Sequence, residues 1–212
     1  MKVFFDWDDV IFNTGLFVES IADIFERRGV SRDIYRETYH QARLIGGDVM
    51  KVYNFDAHTD ILRQHVPDLD AAALRSEYDA LFSDMRRYVF PDVELLLRDL
   101  KTQGAGIFIV SFGVEKIQRA KIEGSGLSPL LTEVLVGIGH KSEMIASVSG
   151  DSAEDAWFID DQPKFVADVK TAFPHIGTIQ MCRKDGRFAN EKNPKSDFVA
   201  ENMRDVRAII IP

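Results

Sequence analysis

Short apolar runs punctuate the chain at residues 3–5, 107–110, 134–138, 157–159, 176–181 and 208–211. Runs of this length, rich in Val, Ile and Phe, predict buried strands. Between most of them the apolar period changes to three and four. Val93, Leu96, Leu97 and Leu100 form one such stripe, opened by Pro91 and stopped by Gly104. Further helices are expected after Gly113, Ser142 and Pro163. Strands alternating with helices predict an α/β fold: a Rossmann-like, three-layer parallel sheet with helices on both faces. Ligands of such sheets bind at the carboxyl ends of the strands.

Residues 13–89 break this alternation. Phe17, Ile21, Ile24, Phe25 and Arg28 follow helical spacing, as do Leu74, Tyr78, Leu81, Phe82 and Met85. Two more helices are expected at 32–45 and 56–65. A crossover between parallel strands needs one helix, not four. The segment therefore predicts an all-helical insertion, either a plain subdomain or a cap over a site. The core is expected at 1–12 and 90–212.

Polar chemistry gathers where the predicted strands end. The first strand runs into Asp6, Asp8 and Asp9, and the strand at 157–159 runs into Asp160 and Asp161. Side chains two apart on an extended chain point the same way, so Asp6 and Asp8 are expected to converge. Carboxylates crowded together resist ionising. One such pair is ordinary helix capping or loop solvation. Two clusters after two buried strands point instead to a hard cation, and Mg2+ suits a few carboxylates plus waters. Ser111 ends another run and can donate to a phosphate oxygen. Lys141 follows the run at 134–138 and suits a phosphate as a point charge. Lys116, Lys121 and Lys164 compete for that role.

The ordered set of Asp6-Trp7-Asp8-Asp9-Val10, Ser111, Lys141 and Asp160-Asp161 resembles the four motifs of the haloacid dehalogenase-like (HAD) superfamily. The stretch "VFPDVELLLRDLKTQG" is similar to the one that opens the second strand unit in capped members. The resemblance spans nearly the whole chain. It implies a Mg2+-dependent phosphatase acting on a small phosphate monoester. Asp6 would be the nucleophile and form an aspartyl-phosphate, and Asp8 the general acid and base. Ser111 and Lys141 would hold the phosphoryl oxygens. The metal would be held by Asp6, the backbone carbonyl of Asp8 and the pair Asp160 and Asp161, with Asp161 favoured as the direct ligand. Members that cleave carbon–halogen bonds lack an acid at the second position, so Asp8 favours phosphoryl chemistry. Asp9 stands where Gly is most common, and Val10 where Thr is more frequent.

The insertion falls where the family places its first type of cap. Arg43 and Lys51 are candidate substrate contacts, with Tyr39, His40 and Tyr53 beside them and Gly46-Gly47 as a turn or hinge. His58 and His65 are expected on a helix as structural residues. A phosphomutase of the same family, a non-catalytic phosphoester-binding module and a nucleic-acid end phosphatase are the competing readings.

Composition narrows these choices. The hydrophobic fraction is 45%, the charged fraction 28% and the net charge −8 over 212 residues. An acidic balance opposes broad contact with nucleic-acid phosphates. No leader or membrane span is expected. Cys182 is the single cysteine, which fits a cytoplasmic protein. It is given no role, and the oligomeric state is left open.

Overall fold

The computed structural model describes residues 1–43, 53–149, 155–184, 186–191 and 193–211. The chain divides into two compact units. One comprises Met1–Gly15 with Met85–Pro212, and the other Leu16–Asp84.

The first unit is built on six strands: β1 (Lys2–Phe5), β2 (Gly106–Phe112), β3 (Glu133–Gly137), β4 (Ala156–Asp160), β5 (Gly177–Met181) and β6 (Phe198–Ala200). They form one sheet in the order β3-β2-β1-β4-β5-β6, and every pairing is parallel. Its helices are α5 (Val93–Thr102), α6 (Glu115–Gly124), α7 (Lys141–Ser149), α8 (Pro163–Ala172) and α9 (Met203–Ile210). They flank the sheet, with α5 against β2 and α9, and α8 against β4, β5 and α7. This is the expected α/β, Rossmann-like arrangement.

Apolar continuity explains the central position of β1. Val3, Phe4 and Phe5 are fully buried, so the strand needs covering on both faces. Phe5 is in register with Ile109 of β2 and Ile159 of β4. The three central strands therefore end at one edge and deliver Asp6, Ser111 and Asp160 together.

Two expectations fail near the carboxyl terminus. The run at 208–211 is not a strand, because Ala208–Ile210 close α9. Met203, Val206 and Ile210 are buried at spacings of three and four, and the Asn202 side chain accepts from the Arg204 and Asp205 amides at 2.9 and 3.1 Å. The Asn202 cap makes this short apolar tail helical. The sixth strand is β6, where Phe198 and Val199 remain 45% exposed, as an edge strand allows.

The second unit carries four helices: α1 (Thr14–Arg27), whose first residues belong to the α/β unit, α2 (Arg32–Ala42), α3 (Phe55–Leu62) and α4 (Ala71–Leu81). Ser31, Asn54 and Asp70 cap the last three by accepting amide N–H bonds. Its core is aromatic: Phe25 meets Tyr35 and Phe55 edge-on and stacks on His58. His58 bonds Thr38 Oγ1 at 2.8 Å and the Tyr53 hydroxyl at 3.0 Å. His58 is thus the structural residue expected. His65 is not on a helix: α3 stops at Leu62, and His65 lies exposed in the following turn. Met85 also leaves its expected helix. It joins the α/β unit, its amide donating to the Gly124 carbonyl at 3.1 Å. Among the described residues no helix is long and apolar enough to cross a membrane.

Candidate active site

At the carboxyl edge of the central strands the chain turns sharply. The Asp6 amide still donates to Ile159 O at 2.8 Å, which extends the sheet by one bond. Trp7 then turns into the core and is fully buried. Asp9 adopts φ 59°, a left-handed conformation that Asp tolerates better than most residues, and its amide donates to Phe12 O at 2.7 Å. Arg183, just past β5, braces this loop. Its Nε and Nη2 donate to Val10 O at 3.1 and 2.9 Å, Nη1 and Nη2 also donate to Asp92, and the guanidinium lies 3.8 Å from the Phe90 ring centre.

Asp6, Asp160 and Asp161 form a buried trio whose carboxylate oxygens lie within 4.8 Å of one another. Lys141, fully buried at the start of α7, reaches into it. Its Nζ lies 2.6 Å from Asp6 Oδ1 and 2.6 Å from Asp160 Oδ2. Asp160 Oδ1 also accepts from the Gln162 amide at 2.8 Å. Asp161 is different: it is buried, and among the described residues neither of its oxygens has a hydrogen-bond partner. A buried carboxylate in that condition is costly unless it holds a proton or a cation. Burial, with Asp160 and Asp6 alongside, pushes its pKa up to about 10. Burial also lifts Asp6 to about 7, against the opposing pull of Lys141. Oxygen donors with one carboxylate unspent fit a hard divalent cation such as Mg2+.

Asp8 does not converge on Lys141 with Asp6. It stands close enough for its charge to bear on Asp6, but its hydrogen bonds go to a second set of partners. Asp8 Oδ1 accepts from Thr14 Oγ1 at 2.9 Å and Lys121 Nζ at 2.8 Å, and Oδ2 from Gln118 Nε2 at 2.8 Å. Burial alone would raise its pKa. Lys121 and Arg187, with the bonds from Lys121 and Gln118, outweigh that and hold it at about 2. Gln118 also donates to Ser111 Oγ at 2.6 Å, which leaves the hydroxyl proton to be directed elsewhere.

The α/β unit thus brings together Asp6, Asp8, Ser111, Lys141, Asp160 and Asp161. Of the competing lysines, Lys121 serves Asp8, Lys116 is exposed, and Lys164 lies over the Phe165 and Phe112 rings. Arg43 belongs to the helical unit, where it follows α2 and its guanidinium lies 5.9 Å from the Tyr39 ring centre. Tyr39 stacks on Tyr53, so both work in the aromatic cluster around His58, while His40 is exposed. Lys51 and Gly46-Gly47 lie outside the described residues.

Sequence reasoning missed Thr14, Gln118, Arg183 and Arg187. Arg187 Nε pairs with Asp9 Oδ2, so Asp9 is not a solitary charge. The only sequence signal was Asp9 itself, an acid in need of a counterion.

The model of the haloacid dehalogenase-like hydrolase family matches residues 3–164. A phosphoserine phosphatase from Thermus thermophilus is 30% identical over 95 residues, a stretch covering 41% of this chain and 38% of that protein. Among solved structures, a haloacid dehalogenase-like protein of Burkholderia xenovorans LB400 superposes with TM-score 0.76 at 20% identity, covering 98% of this chain and 94% of that one. A magnesium-bound HAD hydrolase from Bacillus subtilis gives 0.67 at 18%, covering 100% and 98%. An L-2-haloacid dehalogenase from Xanthobacter autotrophicus gives 0.65 at 18%, covering 99% and 97%. At these identities the structures speak for the fold. Together with a family match across most of its length, they show that the chain belongs to the haloacid dehalogenase-like hydrolases.

Proposed function

We propose that this hydrolase is a Mg2+-dependent phosphatase of small phosphate monoesters. The observation that carries the reading is the unpartnered, buried carboxylate of Asp161 within reach of Asp6 and Asp160. That arrangement asks for a cation beside a nucleophile. Asp6, the Asp8 backbone carbonyl and Asp161 would hold it. Asp160, spent on Lys141 and the Gln162 amide, would support it from outside. Bound there, Mg2+ would neutralise the carboxylates and polarise the phosphoryl oxygens.

Asp6 attacks phosphorus and forms an aspartyl-phosphate, and the ester oxygen leaves. A carboxylate is a weak nucleophile, so alignment and charge must supply most of the acceleration. Lys141 and the Ser111 hydroxyl hold the transferring oxygens. Asp8, ionised in the free site, must gain a proton as the anionic substrate binds; it gives that proton to the leaving oxygen and then takes one from the attacking water. Thr14, Gln118 and Lys121 fix the Asp8 carboxyl for both steps. Dehalogenases share the fold, but Asp8 sits at the position where those members lack an acid, and this favours phosphoryl transfer. The phosphoserine phosphatase relative supports a small phosphorylated substrate. Arg43 and Lys51 remain proposed substrate contacts, which Arg43→Ala and Lys51→Ala would reveal as raised KM with kcat kept.

The test is release of inorganic phosphate from a panel of metabolite esters. Activity should require Mg2+ and vanish in Asp6→Asn. Turnover that survives full chelation, or survives that substitution, overturns the assignment.

A further inference from the structure

The connection from β5 to β6 carries a charge that the proposed chemistry does not use. It is pinned at both ends. Arg183 holds Val10 O, and the Asn193 amide donates to Gln180 Oε1 at 2.7 Å. Between these anchors Arg187 extends to Asp9 and pairs through Nε. Its terminal N–H groups make no hydrogen bond among the described residues, and the side chain is 42% exposed. A residue whose sole task was to fasten the loop would spend more of its five donors. Its charge is instead held one residue from Asp8, whose backbone carbonyl is a proposed cation ligand.

The charges around the site can be counted. Asp6, Asp8, Asp9, Asp160 and Asp161 supply five carboxylates; Lys121, Lys141 and Arg187 supply three cations. Fully ionised, these eight groups are left with two negative charges; Lys164, whose ammonium lies over the same Phe165 ring as Lys141, is a further cation nearby. Without Arg187 the surplus would be three; without Asp9 it would be one.

We infer that the Asp9–Arg187 pair sets the affinity of the acid cluster for its divalent cation, with Arg187 as a tethered counterion and Asp9 as the residue that positions it. This rests on the cation site proposed above. It also gives a role to the acid standing where the family more often has Gly. Asn tolerates the left-handed backbone at position 9 and keeps an oxygen for the Thr14 amide, so Asp9→Asn removes charge with little strain.

Calorimetric titration of the metal-free chain with MgCl2 tests it without reference to turnover. Arg187→Gln should bind Mg2+ about tenfold more tightly and Asp9→Asn about tenfold more weakly, the scale of one unit charge near a divalent ion in a partly solvated site. The double variant should return to within about threefold of the original. Arg187→Lys keeps the charge and should bind like the original. A pair that merely fastens the loop predicts something else: both single variants break the same contact and shift the same way. A shift in one direction for both, or an unchanged dissociation constant in Arg187→Gln, overturns the inference and leaves the cation site standing. Absence of Mg2+ binding in the unsubstituted chain overturns both. Opposite shifts with no phosphate release would sustain the inference and remove the phosphatase reading instead.

Discussion

Asp161→Asn should make the metal-free protein more stable while abolishing its response to Mg2+. The side chains are nearly isosteric, so the substitution removes charge and little else. Burial and the neighbouring acids raise Asp161 to about 10 from an ordinary 3.8. At about pH 7.5 the folded chain therefore carries a proton there that the unfolded chain has released. Holding it costs roughly 5 kcal/mol. The amide that replaces it is itself buried without a partner, at about 1–3 kcal/mol. A net gain of about 2 kcal/mol or more remains, which is a Tm increase of about 4–8 °C for a chain of this size. The sign follows from proton binding. Between the two pKa values the folded state binds more protons, so wild-type stability falls as pH rises. The variant's advantage should be small near pH 4 and grow toward pH 9. Thermal melts in EDTA across that range measure it, and a parallel series with Mg2+ should raise Tm for the wild type only. A variant less stable than wild type in EDTA at pH 8, or one that Mg2+ stabilises equally, would refute the reasoning.

Lys141→Met should cost about 3–5 kcal/mol in EDTA, since it strands Asp6 and Asp160 in the interior. Urea denaturation reads this, and a loss below about 1 kcal/mol would contradict the bridging role. Lys121→Met should move the Asp8 carboxyl from about 2 to above ~4 in carbon-detected NMR titrations of the metal-free protein, and an unmoved midpoint would show that Lys121 is not what holds it down. Burial lowers His58 to about 4 from 6.5, so the neutral ring contributes stability fully above 6.5, lost as pH falls toward 4. The stability difference between wild type and His58→Phe, followed by helical circular dichroism, should shrink by about 3 kcal/mol over that window. A flat difference would place the ring's proton elsewhere.

The acids at strand ends were legible because they need only local information: an apolar run, then a carboxylate, twice over. Alternation gave the parallel sheet for the same reason. What escaped was whatever depended on distant partners. Nothing near Lys121 in the chain marks it as the partner of Asp8, 113 positions away. Arg187 reaches Asp9 across 178 positions, from a polar connection with no periodicity. Asp6 and Asp8 come near each other but bond different cations, Lys141 and Lys121, because the strand ends at Phe5. A rule for extended chain was carried past the bend that buries Trp7. The carboxyl-terminal run was misread for want of one side chain, the Asn202 cap, that turns four apolar residues into the end of a helix.

Arg183 has a bearing on how this enzyme could be cut. The family match stops at residue 164, before β5 and β6. Yet one guanidinium beyond that limit grips the carbonyl of Val10 and the carboxylate of Asp92, which in turn accepts from the Met203 amide at 2.8 Å. Three stretches far apart in the chain are fastened at a single point beneath the first acidic motif. A fragment trimmed to the recognised motifs would keep all its reactive groups and lose the bolt that aligns them. The last quarter of the chain is therefore part of the scaffold of the first acidic motif, not an appendage to it.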